Sequence, residues 1–148
     1  SMSVRTHIFR FHFPDGSGTI KQGVTLTNKE FNERKKQENL IKLSDKTTCT
    51  GYCSCAQCCG KSNGITKSGK KLVPNYTCAV DENIIPLGSM VYVYFKNEKK
   101  WHMYEAMDVG GAINKAHIDL AFGSHRKATT WGNKKCKVYF YTPPKSHK

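Results

Sequence analysis

Ala106-Met107-Asp108-Val109-Gly110-Gly111-Ala112-Ile113, followed by His117-Ile118-Asp119-Leu120, is the stretch whose reading decides the fold. A short apolar segment delivers Asp108 to a Gly-Gly turn, and a second one carries Asp119. Glycine at such a turn lets backbone or a bulky ligand come close. Short apolar runs between glycine turns recur on both sides. Thr77 to Val80, Met90 to Phe95, Trp101 to Met107 and Cys136 to Tyr141 read as strands, punctuated by Pro86-Leu87-Gly88 and Gly110-Gly111. Ser124 to Trp131 reads as a short helix, with Ser124 as its N-cap and Gly132 just past its end. This pattern predicts a mainly β chain, folded as a compact barrel with one or two short helices rather than a sandwich.

The chain upstream differs. Thr6 to Phe13 alternates, with Phe9, Phe11 and Phe13 on one face, as a half-buried strand does. Pro14-Asp15-Gly16-Ser17-Gly18 is a turn signal, and Thr19 to Leu26 can return as a second strand. Thr27 and Glu30 then form a capping box, with Leu26 and Phe31 at staple spacing, so a helix is expected from about Asn28 to Leu40. A hairpin and one helix are too small to be stable alone and are expected to dock on the rest. The expected organisation is an N-terminal extension over residues 1–47, a barrel over 48–142 and a tail over 143–148.

Of 148 residues, 38% are hydrophobic, enough for a packed core, so a disordered chain is excluded. No run approaches the ~20 apolar residues of a spanning helix, and no signal-peptide pattern appears. Lys and Arg outnumber Asp and Glu by 24 to 11, a net charge of +13. That excess suits polyanionic partners, or is simply a solvated lysine-rich surface. Carboxylates are correspondingly scarce beyond residue 48: Asp81, Glu82, Glu98, Glu105, Asp108 and Asp119. Ile118, Leu120 and Phe122 surround Asp119 with apolar neighbours able to desolvate it and raise its pKa, as a general acid requires. The competing reading makes Asp108 a turn cap and Asp119 an acceptor for nearby backbone amides.

Seven cysteines are many for this length, and the count is odd: Cys49, Cys53, Cys55, Cys58, Cys59, Cys78 and Cys136. Cys55-x-x-Cys58 has chelating spacing, Cys53 or Cys59 could add a third ligand, and Cys49, Cys78, Cys136 or a histidine could complete a zinc tetrahedron. A second such knuckle is missing, and no thioredoxin-like context surrounds the pair. One to three disulfides tying the first loop to the barrel are the expected arrangement, with no cofactor and structural zinc as the competitor.

Five blocks, in order, resemble the 3D domain, named for its three aspartates. They are Thr50-Gly51-Tyr52-Cys53-Ser54-Cys55 with Gly64-Ile65-Thr66; Cys78-Ala79-Val80-Asp81 with Ile84-Ile85-Pro86-Leu87-Gly88; Asp108-Val109-Gly110-Gly111; His117-Ile118-Asp119; and Phe122-Gly123-Ser124-His125 with Trp131-Gly132. The resemblance covers about residues 48 to 141. It departs at Glu82, where family members often have proline, and at Cys78 and Cys136. This family is a double-psi β-barrel found in bacterial and phage peptidoglycan-cleaving proteins, including stationary-phase-survival-type proteins and the barrel of membrane-bound lytic transglycosylase A.

The resemblance implies lytic transglycosylation of peptidoglycan, cutting between N-acetylmuramic acid and N-acetylglucosamine to leave a 1,6-anhydro end. It implies Asp119 as general acid and then base, Asp108 as its support, and Asp81 as the member that orders the site. Thr50, Tyr52, Thr66, Gly110, Gly111, Lys115 and His117 are the expected substrate-binding residues, and His125 and Arg126 are further candidates for contacting sugar substituents. Trp101 and Trp131 are expected to pack rather than stack on sugars. The implied setting is extracytoplasmic, at a cell wall or with a phage, for a monomer that binds glycan strands and anionic wall polymer and has no membrane span. Two other readings stand beside it: a barrel that binds wall glycan without cutting it, and a zinc-stabilised basic module for nucleic acid, for which no recognised motif is present.

Overall fold

The structure is a computed structural model that describes residues 10–12, 19–21, 23–55, 72–109 and 116–144. The elements are β1 (Arg10–His12), β2 (Thr19–Lys21), β3 (Val24–Leu26), α1 (Asn28–Gln37), β4 (Ile41–Tyr52), β5 (Thr77–Ala79), β6 (Met90–Phe95), β7 (Lys100–Asp108), β8 (His117–Ala121), α2 (His125–Trp131) and β9 (Lys134–Tyr141). β1 and β2 form an antiparallel hairpin, with Phe11 opposite Ile20.

The remaining strands are ordered β3-β7-β5-β8-β4-β9-β6, and β6 pairs again with β7. That last pairing closes six strands into a barrel, with β3 added outside along β7. The barrel is mixed: β4–β8 and β5–β7 run parallel, and the other pairs antiparallel. Closure removes the open sheet edges that short strands would otherwise present. The mainly β barrel with short helices expected from the sequence is therefore the fold.

One face of each strand fills the barrel. Cys49, Cys78, Val80, Ile85, Val91, Val93, Tyr104, Ala106, Ile118, Leu120, Cys136, Val138 and Phe140 make the interior core. Cys49, Cys78 and Cys136 act there as small apolar side chains. They are free thiols, and no disulfide joins any two of the described cysteines. The disulfide framework is thus absent among these residues. Cys58 and Cys59 lie outside them.

The helix and its cap follow the sequence pattern. Thr27 Oγ1 accepts the Glu30 N–H at 3.1 Å, and Glu30 Oε1 accepts the Thr27 N–H at 2.9 Å. α1 stops at Gln37, short of the expected Leu40. Its C-cap Glu38 is extended: its N–H donates to the Arg34 carbonyl at 2.9 Å, and its carboxylate accepts from the Arg34 guanidinium at 3.1 Å and from the Tyr92 hydroxyl at 3.3 Å. Phe31, the buried residue of α1, lies flat on Trp101 with centroids 3.7 Å apart and planes 8° apart. Trp101 Nε1 donates to Asn28 Oδ1 at 3.0 Å. Val24, Leu26, Phe31, Tyr92, Trp101, Met103 and Tyr139 form a second core between this lobe and the outer side of the barrel. β4 starts at Ile41 and crosses the 47/48 boundary expected from the sequence without a break.

Candidate functional site

The register of four neighbouring strands assembles the site. Thr50 on β4 pairs with Asp119 on β8, Asp119 with Ala79 on β5, and Ala79 with Asp108 on β7. A register shift between Cys78 and Ala79 brings Asp108 into that row. Alternation sends Cys49, Cys78, Ile118 and Leu120 into the barrel core. Thr50, Tyr52, Ala79, Asp119 and Ala121 therefore share the opposite face. Tyr52, Ala79 and Ala121 join Leu72 in a small apolar cluster there. Ala79, the small residue between the two aspartates, is one that sequence reasoning passed over.

Asp119 is partly buried against this cluster, and its carboxyl is pushed up to about 6. Burial is the main cause. The Thr50 hydrogen bond opposes it, and the negative charge of Asp108 adds to it. Thr50 Oγ1 donates to Asp119 Oδ1 at 2.9 Å and stands 3.0 Å from His117 Nε2. His117 is held below its usual pKa by burial and then by the Lys135 cation, which favours a neutral ring with one N–H and one lone pair. The hydroxyl carries a single proton. While it donates to the carboxylate, its partner at His117 must be an Nε2–H. When Asp119 is protonated, the chain can reverse, Asp119 donating to Thr50 and Thr50 to His117. Such a chain suits a group that gives up a proton and later regains one.

Asp108 ends β7, half-buried, with its Oδ1 accepting the Val109 N–H at 2.9 Å and its carbonyl accepting the Val80 N–H at 2.9 Å. The Gly-Gly turn that Asp108 was expected to cap lies outside the described residues. Asp81 follows β5 and holds a turn: its Oδ1 accepts the Asn83 N–H at 3.0 Å, and its carbonyl accepts from Ile84 and Ile85. Tyr52 is buried, and its hydroxyl has no hydrogen-bond partner of ordinary geometry among the described residues. Burial, then the charges of Cys78 and Asp108, push its phenol above the usual range, with Asp119 also contributing. The nearby Thr77 hydroxyl acts in the opposite direction.

The other sequence candidates sort themselves by position. His125 opens α2, with Nδ1 3.5 Å from Cys55 Sγ, and so stands with the cysteines rather than in the aspartate row. Arg126 is exposed on the same helix. Trp101 is core, and Trp131 donates from Nε1 to the Cys49 carbonyl at 3.0 Å. Thr66, Gly110, Gly111, Lys115, Cys58 and Cys59 lie outside the described residues. Glu105, one of the scarce carboxylates, is a buried acceptor for the Tyr76 hydroxyl at 2.8 Å. A separate concavity of about 1000 Å³ is lined by Val73, Asn75, Phe122, Trp131 and Lys135 among others, and by none of the three aspartates.

Residues 76–142 match the sequence model of the 3D domain, so the chain carries a 3D domain. Among curated proteins of Bacillus subtilis (strain 168), it is 40% identical over 82 residues to the cell wall-binding protein YocH, a match covering 53% of this chain and 27% of YocH. It is 31% identical over 132 residues to the putative cell wall shaping protein YabE, covering 87% of this chain and 28% of YabE. The chain thus spans little more than a quarter of the length of these relatives. Among solved structures, it is similar to the lytic transglycosylase MltA from Escherichia coli, with a TM-score of 0.46 and 28% identity over 54% of this chain and 28% of that one.

Proposed function

We propose that the chain is a peptidoglycan lytic transglycosylase acting outside the cytoplasm on the glycan strands of a cell wall. The observation that carries this reading is a partly buried Asp119 raised to about 6, bonded to Thr50 and repelled by Asp108. A shift from 3.8 to about 6 increases the protonated fraction at pH 7 by roughly a hundredfold. Asp119 would protonate the bridging oxygen between muramic acid and glucosamine as that bond breaks. The muramoyl 6-hydroxyl then attacks its own anomeric carbon, and its proton passes to the Asp119 carboxylate. Because the nucleophile belongs to the substrate, a second carboxylate is not needed to activate water or to form a covalent intermediate. Asp108 raises the acidity window of Asp119 and supplies negative charge near the sugar cation. Asp81 holds the turn after β5. Tyr52, Thr50 and His117 would offer hydrogen bonds to the sugar.

A second reading is favoured by the name of one relative, a cell wall-binding protein. In it the same face binds glycan without cutting. Both are tested by incubating the protein with purified sacculi and analysing the soluble and insoluble fractions by mass spectrometry. The expected result is release of muropeptides lacking one water at the muramoyl end, abolished in Asp119→Asn. Sacculi that retain the protein yet stay intact at every pH tried would support the binding reading. Products carrying a full reducing end would replace transglycosylation by hydrolysis.

A further inference from the structure

Three side chains that the proposed reaction does not use meet where two strands leave the barrel. Cys53 and Cys55 follow the end of β4 directly, and His125 is the first residue of α2, four residues beyond the end of β8. β4 and β8 are parallel neighbours, with Tyr52 paired to Ala121, and the Phe122 N–H extends the pairing to the Tyr52 carbonyl at 2.7 Å. The two exits therefore run side by side. Cys53 Sγ lies 3.0 Å from Cys55 Sγ, and Cys55 Sγ lies 3.5 Å from His125 Nδ1. All three donor atoms fall within 4.8 Å of one another.

These distances fit a metal better than a disulfide. A disulfide holds its sulfurs about 2.05 Å apart. Ligands of a tetrahedral zinc, at about 2.3 Å for sulfur and about 2.0 Å for nitrogen, lie roughly 3.5 Å apart for a sulfur–nitrogen pair and roughly 3.8 Å for two sulfurs. The cysteine–histidine separation already has this value, and the two sulfurs need to part by less than an ångström. Two thiolates and an imidazole are the donor set that selects zinc over the hard cations. Cys53 is buried, Cys55 half-buried and His125 exposed, so the site is rooted in the protein and reachable from solvent.

We propose that Cys53, Cys55 and His125 bind one zinc ion that clips the exit of β4 to the exit of β8. Cys55 and His125 are 70 residues apart in sequence, so the clip would close a long loop and restrict the unfolded chain. It would also fix the ends of the two strands that present Thr50 and Asp119, three residues before Cys53 and six before His125.

The test uses the full chain purified under reducing conditions. Elemental analysis after gel filtration is expected to return one zinc per chain, and cobalt substitution to produce a thiolate-to-cobalt charge-transfer band. Cys55→Ser and His125→Ala should each weaken zinc binding by more than the roughly 10–100-fold that loss of an outer-shell partner costs. Arg126→Ala, next to the site on the exposed face, should keep full occupancy. A wild-type protein that takes up no zinc and gives no sulfur–cobalt band would overturn the proposal, whether or not the variants fold. Zinc retained at full affinity in both Cys55→Ser and His125→Ala would overturn it as well.

Discussion

Asp119 has an environment that works against its own ionisation, and the consequence for stability has a definite sign. Its carboxyl sits at about 6 in the folded chain against an ordinary 3.8. The favourable contribution of the protonated side chain is fully present below about pH 4 and is lost as pH rises through 6. Above that, the folded state carries a desolvated charge. Asp119→Asn keeps an oxygen acceptor for Thr50 and removes the charge. The variant is expected to be more stable than the parent by about 1–3 kcal/mol above pH 6.5, with the difference vanishing below pH 4, in denaturant melts run across that range. A variant equally or less stable at pH 7.5 would show that burial does not act on this carboxylate. The sequence made Asp119 conspicuous through its apolar neighbours Ile118 and Leu120. It could not reveal that Ala79 separates it from Asp108 or that Thr50 bonds it, because both depend on the register of strands far apart in the chain.

Among the elements, those with strong local chemistry were legible. The capping box of Thr27 and Glu30, the staple of Leu26 and Phe31, and the Ser124 cap with Gly132 at the end of α2 all stand where the pattern put them. Gly132 has φ 72°, a conformation that glycine adopts without strain. β4 was not read as a strand in the sequence. Its first half, Ile41-Lys42-Leu43-Ser44-Asp45-Lys46, is mostly polar and exposed, and its pairing with β9 shifts register twice. Such a strand is made by its partner rather than by alternation. The contact that fastens α1 to the barrel is a sharper matter. Phe31 is almost wholly buried, stacked on Trp101 and edge-on to Tyr92 and Tyr139. Phe31→Ala should cost about 3–5 kcal/mol in urea unfolding, more than an isolated cap would. A loss below 1 kcal/mol would mean that the helix contributes little to the fold.

For the molecule as a whole, the barrel places the aspartate row on one outer stretch of wall and packs the helix lobe against another. The core beneath the row is built from small and aliphatic side chains, with Cys49, Cys78, Ile118 and Leu120 directly behind Thr50, Ala79 and Asp119. A rigid, close-packed wall holds the acid in place while its own face stays half open. The strongly basic composition suits an anionic wall, but the proposed chemistry rests on one carboxyl. The most direct measurement is the pH–rate profile for release of anhydro-ended muropeptides from sacculi by the wild-type chain and by Asp119→Asn. The account predicts release that declines above about pH 6 in the wild type and is absent in the variant. Release that persists in Asp119→Asn, or glycan strands left uncut by the wild type from pH 5 to pH 8, would contradict it.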